Sequence, residues 1–181
     1  MKIIAISGSL RKNSFNTGLI RAAIELKQDS IDIEYFDIKD IPLYNADIDG
    51  DNKPLSVDEL STKVTEADGI LISVPEYNYS YTAALKNAFD WLSRVTPMPL
   101  LGKPLAMMGT SYGMSGTMRA QLHFRQVLIY MDVRVMNKPE IMIPSAYDKF
   151  DNEGKLIDES TKDYIRKMLL SFEQFIIHNK H

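Results

Sequence analysis

Three short stretches of this chain carry the side chains able to do chemistry. The first is Ser7-Gly8-Ser9-Leu10-Arg11-Lys12-Asn13-Ser14-Phe15-Asn16-Thr17, placed between a buried apolar run and a helical pattern. The start of a helix presents unpaired N–H groups and a partial positive charge, and both favour an anion. Ser9, Ser14, Asn16 and Thr17 could add neutral donors and Arg11 a charged fork. Ser and Asn here could equally serve as helix N-caps, although no helix needs four capping side chains and an arginine. The stretch fits neither G-x-x-x-x-G-K-[ST] nor G-x-G-x-x-G, so a monophosphate suits it better than a nucleoside triphosphate or a dinucleotide.

The second stretch, Pro75-Glu76-Tyr77-Asn78-Tyr79-Ser80-Tyr81-Thr82, places three tyrosines within five residues directly after another buried run. A flat, partly polar surface of this kind suits a planar heteroaromatic ring. Packing against a neighbouring helix or a second subunit is the competing use of each tyrosine, and Trp91 further on reads as core or interface. The third stretch, Gly109-Thr110-Ser111-Tyr112-Gly113-Met114-Ser115-Gly116-Thr117, has three glycines that let backbone approach a ligand closely. It also contains G-x-S-x-G at Gly109 to Gly113, the nucleophile elbow of serine hydrolases. Only His123, His178 and His181 follow Ser111. The first is expected in the helix leaving the loop, unable to reach back, and the other two near a frayed end. No oxyanion segment accompanies them, and their spacing gives no metal site.

The elements that position these loops are legible as alternating buried runs and helical patterns. Strands are expected at Lys2 to Ile6, Ile31 to Phe36, Gly69 to Val74, Pro104 to Met108 and within Val133 to Ile143, the last interrupted by Pro139. Their apolar residues do not alternate with polar ones, the mark of strands covered on both faces. Helices are expected around Leu19 to Ile24, at Ser56 to Ala67, along the stripe Leu85, Ala88, Phe89, Leu92 and Val95, at Met114 to Met131, and along Ile165 to Ile176. Five βα units predict a doubly wound α/β fold, with a five-stranded parallel sheet and helices on both faces. Ligands bind such sheets beyond the carboxyl ends of the strands, where all three stretches lie. Tyr44 to Pro54, rich in Asp, Asn and Gly, reads as a floppy loop too short to link domains, so residues 1–181 form one domain in this reading.

Composition agrees. A chain of 181 residues with 45% apolar and 25% charged residues is an ordinary globular protein with a sizeable core. It has no cysteine, which excludes disulfides and thiolate metal sites and suits a reducing compartment. A net charge of −3 argues against nucleic acid as main partner and offers no polybasic membrane patch. The apolar start, MKIIAISGSL, is too short for a signal peptide or a membrane span, so the expected location is cytoplasmic.

The stretches GSLRKNSFNT, PEYNYS, LKNAFDWLSR and GTMRAQLHFRQVL resemble, in order and spacing, the NADPH-dependent FMN reductase family, which includes chromate, quinone and azo-dye reductases. The resemblance spans nearly the whole chain and implies a flavodoxin-like fold with FMN as cofactor and NADPH or NADH as co-substrate. It implies that Ser9, Arg11, Ser14, Phe15, Asn16 and Thr17 hold the FMN phosphate. Pro75, Glu76, Tyr77, Asn78 and Tyr79 would then line the isoalloxazine, with Ser111 and Gly113 closing the other side. No side chain is implied as acid, base or metal ligand, because the flavin carries the chemistry. The family's small-molecule acceptors are quinones, azo compounds, flavins and chromate-like anions, and its members form homodimers or homotetramers. Leu85 to Arg94 and Arg119 to Tyr130 are the candidate interfaces here. The chain departs from the family in having Thr82-Ala83 where Pro-Gly is usual, and in the bulk of Tyr112 beside the expected flavin site. Two other readings stay open at this point: a flavodoxin-type electron carrier and a serine hydrolase acting through Ser111.

Overall fold

The computed structural model describes residues 1–50 and 53–179. Its elements alternate as the apolar runs imply: β1 (Lys2–Ser7), α1 (Phe15–Leu26), β2 (Asp32–Phe36), α2 (Leu55–Glu66), β3 (Gly69–Ser73), α3 (Ala83–Leu92), β4 (Pro104–Thr110), α4 (Met118–Tyr130), β5 (Arg134–Val135), β6 (Ile141–Ile143) and α5 (Glu159–Asn179). Every pairing between these strands is parallel and the order is β2-β1-β3-β4-β5, with β6 also on β4. This is the flavodoxin-like arrangement, whose strand order reverses between β1 and β3.

The sheet divides the core into two layers because its side chains alternate between faces. Ile4, Ile6, Ile70 and Ile72 face one way, onto Leu60 of α2, Phe89 of α3 and Phe124 of α4. Ile3, Ala5, Leu71 and Ala106 face the other way, onto Leu19 of α1 and Ile165 and Phe172 of α5. Neither face of the central strands meets water, which is why they read as unbroken apolar runs.

Four expectations are adjusted. The fifth strand position is filled by two segments, β5 and β6, so five positions hold six strands. Pro139 lies in the gap, and without an N–H it cannot extend the ladder. Helix α4 starts at Met118 rather than Met114, because Gly116 and Thr117 take φ of +55° and +73° and break the turn. A Cβ on Gly116 would stand 2.5 Å from the main chain of Met142, so this backbone passes too close to β6 for a side chain. Val95 falls beyond the end of α3 and outside its buried stripe.

The fourth concerns the stretch from Tyr44 to Pro54. It is tied down at its start, because Asn87 of α3 accepts from the Tyr44 N–H at 2.8 Å and donates to the Pro42 carbonyl at 2.8 Å. Trp91, fully buried, donates to the same carbonyl at 2.8 Å. Ala46–Ile48 forms a short 3-10 turn, while Asp51 and Asn52 lie outside the described residues. Trp91 is thus core, and no helix among the described residues is long and apolar enough to cross a membrane.

Candidate functional site

The three stretches meet beyond the carboxyl ends of β1, β3 and β4, and one side chain ties the first of them to the ends of β3 and β4. Asn16, on the first turn of α1, donates to the Thr110 carbonyl at 3.0 Å and accepts from the Thr110 N–H at 3.1 Å. Its carbonyl oxygen also accepts from the Ser73 hydroxyl at 2.9 Å. Thr17 is likewise turned inward, donating to the Ser7 hydroxyl at 2.9 Å. The structure therefore commits the side chains of Asn16 and Thr17 to internal bonds rather than to a free donor set. What remains for an anion is the helix start itself. Ser14 is the N-cap and accepts from the Thr17 N–H, while the N–H groups of Phe15 and Asn16 precede any intrahelical acceptor.

A cleft of about 200 Å³ opens at this helix start. Ser9, Arg11, Ser14, Phe15 and Asn16 line it from the first stretch, Pro75, Glu76 and Tyr77 from the second, and Ser111 from the third. Thr17, Asn78, Tyr79 and Gly113 are not among its lining residues. Tyr112, whose bulk beside the site the sequence already raised, lines it too, as do Thr110 and Ala146, to which sequence reasoning gave no ligand-lining role. Ala146 had no sequence signal at all. It arrives from beyond β6, held by its N–H to the Ser111 carbonyl at 3.1 Å.

The second stretch forms a tight turn. Tyr77 and Ser80 exchange both main-chain hydrogen bonds, at 2.8 and 3.0 Å, around Asn78 and Tyr79 with φ of +49° and +69°. Asn tolerates this left-handed region, whereas tyrosine is strained there, and such strain gathers at ligand sites. The three tyrosines part company. Tyr77 reaches the cleft, Tyr79 lies under the guanidinium of Arg119 at 4.1 Å, and Tyr81 packs edge-on against Phe124. The Glu76 carboxylate also reaches the start of α4, accepting from the N–H groups of Arg119 and Ala120. Thr82, where the family's proline was expected, caps α3 and donates to the Gly8 carbonyl at 2.6 Å.

The third stretch supplies the rim. Arg11 donates to the Tyr112 hydroxyl at 2.9 Å, and Tyr112 stacks on Tyr147 with ring centres 4.1 Å apart. The Tyr112 hydroxyl beside it pushes the Tyr147 phenol above its ordinary range. Phe15 meets both rings edge-on and lies beneath the Arg11 guanidinium. The hydrolase reading finds no machinery here. Ser111 donates to the Gly113 carbonyl at 3.3 Å and lacks the left-handed backbone of a strained elbow. His123 pairs with Ser80 at 2.9 Å, and His178, ordered in α5 rather than frayed, bonds the Gln174 carbonyl. His181 lies outside the described residues, and among those described no group of side chains is placed to hold a metal ion.

An anion seat at a helix start, a strained turn and a cleft at the strand-order reversal together suit a phosphate-bearing ring cofactor. Comparison with known proteins agrees. Residues 1–148 match the family model of NADPH-dependent FMN reductases. The chain is 43% identical to an NAD(P)H-dependent FMN reductase of Pseudomonas aeruginosa, over 97% of this chain and 95% of that one. It is 41% identical to a quinone reductase of Escherichia coli, over 97% and 95%. Among solved structures, the flavoenzyme NAD(P)H:(acceptor) oxidoreductase FerB of Paracoccus denitrificans superposes with a TM-score of 0.89 at 31% identity, covering 98% of each chain. With this likeness running over nearly its whole length, the chain belongs to the NADPH-dependent FMN reductase family.

Proposed function

We propose that this chain oxidises NAD(P)H and reduces a quinone in one cleft, the two substrates using it in turn. The family makes it an FMN-dependent NAD(P)H oxidoreductase, and relatives named quinone reductases support the acceptor class. The net reaction balances as NAD(P)H, one proton and a quinone giving NAD(P)⁺ and a hydroquinone. Bound FMN supplies two-electron transfer between a nicotinamide and an acceptor.

The chain's own residues bind and orient. In this reading the N–H groups of Phe15 and Asn16, the hydroxyls of Ser9 and Ser14 and the Arg11 guanidinium hold the phosphate. Thr17 contributes by bracing that turn from behind. Pro75, Glu76 and Tyr77 edge the ring, and Asn78 and Tyr79 set the turn that aims their main chain. Ser111 closes the far side, with Gly113 acting behind it as the acceptor of the Ser111 hydroxyl, while Tyr112 and Tyr147 narrow the entrance. The observation that carries this assignment is the convergence of an N-capped helix start, Arg11 and the strained turn on one cleft.

The wider reading follows the same line. Residues 1–181 act as one flavin-binding domain, and a chain without cysteine suits the cytoplasm. Pairing into a homodimer or homotetramer would use α4, whose Met118, Leu122 and Ile129 form an exposed apolar stripe. The corresponding stripe of α3 is buried in its own core. Azo compounds, free flavin and chromate-like anions are further acceptors to assay.

The visible absorption spectrum tests this, followed by NADPH and NADH added separately without air. Flavin absorption that bleaches with either donor and returns with a quinone is expected. Bound flavin that does not bleach would point to an electron carrier. A colourless protein that takes up no added FMN overturns the proposal.

A further inference from the structure

A second groove adjoins the cleft and is not needed to hold the flavin. It has a volume of about 400 Å³ and shares Ser9 and Arg11 with the cleft. Arg11, Lys12, Arg21 and Lys39 line it, with Tyr35 and, as the only carboxylate among the described residues lining it, Asp37. Four cations against one carboxylate is a local inversion in a chain of net charge −3. Asp37 is moreover already engaged, accepting from the Lys39 N–H at 3.0 Å and facing its ammonium at 3.5 Å. Neither Lys12 nor Arg21 forms an ion pair among the described residues. Two charges without partners thus flank a recess that offers an aromatic side chain, and like charges gathered around a concave surface focus an attractive field on anions.

We propose that this groove takes the 2′-phosphorylated adenylate end of NADPH and so sets a preference for NADPH over NADH, an inference that rests on the flavin reading above. The groove opens at the end of the cleft where the flavin phosphate is assigned. A nicotinamide dinucleotide laid lengthwise, with its ring over the flavin ring, directs its adenylate end there. Lys12 and Arg21 meet the 2′-phosphate, which carries close to two negative charges at neutral pH. Tyr35 offers a face to the adenine, and the Lys39–Asp37 pair stands beside the ribose. NADH, lacking that phosphate, leaves Lys12 and Arg21 without a partner. The free adenylate of FAD is the other source of similar chemistry, but it has no 2′-phosphate.

The test compares 2′,5′-ADP, 5′-ADP and inorganic phosphate as ligands of FMN-loaded protein at low salt, by calorimetry. The Lys12→Gln/Arg21→Gln variant is measured in parallel, and FMN content is read from absorbance. The expected result is binding of 2′,5′-ADP about tenfold tighter than 5′-ADP, lost in the variant and weakened by added salt. FMN content of the variant stays equal to wild type, and its KM for NADPH rises about tenfold while kcat and the KM for NADH hold. Equal binding of the two nucleotides, inorganic phosphate competing as well as 2′,5′-ADP, or a preference that survives in the variant would each overturn the assignment. Failure to take up FMN at all would instead sink the flavin reading. Normal FMN uptake without nucleotide discrimination sinks the groove alone.

Discussion

Glu76 and Arg119, forty-three positions apart, are joined twice: the carboxylate accepts from the Arg119 N–H at 3.1 Å and from its guanidinium at 3.3 Å. Through the first of these bonds, and one from Ala120 at 3.3 Å, Glu76 does for α4 what an N-cap residue does for other helices. Thr117, the residue in the cap position, makes no side-chain cap. The turn beside the cleft and the start of α4 are therefore one mechanical unit.

Replacing Glu76 tests that unit. Glu76→Ala removes the cap and is expected to lower stability by about 1–2 kcal/mol, with Glu76→Gln recovering part of it. FMN affinity should fall in Glu76→Ala as well, because the turn loses its anchor. Urea unfolding and fluorescence titration with FMN measure the two effects, and a stable variant with unchanged affinity would show the unit to be unimportant.

Asn16→Ala should be the most damaging single change in the first stretch. It strands the Thr110 N–H, the Thr110 carbonyl and the Ser73 hydroxyl, all buried, each unsatisfied group costing about 1–3 kcal/mol. The expected outcome is a loss of at least ~3 kcal/mol in chemical unfolding, whether or not FMN is present. A stability change visible only with FMN would instead mean that Asn16 acts mainly on the cofactor.

Arg11→Ala should weaken FMN binding about tenfold or more, by loss of a charge-assisted contact to the phosphate, while riboflavin, which lacks the phosphate, is unaffected. Tyr112→Phe removes the phenol that Arg11 now bonds and should leave FMN affinity equal or tighter. An equally large loss in both variants would mean that the phenol itself holds the phosphate.

Acid stability should depend on Asp158. Its carboxylate accepts from the Thr161 hydroxyl at 2.6 Å, the Ser160 hydroxyl at 2.7 Å and the Thr161 N–H at 2.8 Å, with the Lys149 ammonium at 3.2 Å. These bonds, that of the Thr161 hydroxyl foremost, hold its carboxyl well below the usual carboxylate range. A lowered folded-state value means stability that is present above about pH 4, the unfolded value, and lost as pH falls through the acid range below it. Asp158→Asn should be less stable than wild type at neutral pH, and the difference should shrink as pH drops below about 4. A difference independent of pH would show that the bonds do not require the charge.

Much of the fold was legible because its central strands are buried on both faces. Ile3 to Ile6 and Ile70 to Ile72 could be read as strands from local sequence alone. The three stretches were legible for a related reason, since polar and glycine residues between a buried run and a helix have few structural uses. Most of the errors involve partners outside the local helix or strand pattern. Asn16 and Thr17 look like free donors until Thr110 and Ser7 are brought beside them. Ala146 is silent because its place depends on a main-chain bond to Ser111. The late start of α4 comes from the backbone approach of Gly116 to Met142, which no helical periodicity records.

Asn16 also divides the site into a floor and a rim. The floor, where α1, β3 and β4 share one amide, cannot be altered at one loop without disturbing the other two. The rim, made of Arg11, Tyr112 and the largely exposed Tyr147, hangs on side-chain contacts that single substitutions change. New acceptor preferences are therefore within reach of engineering or natural drift at the rim, at small risk to the fold. A change of cofactor would have to be written into all three loops at once.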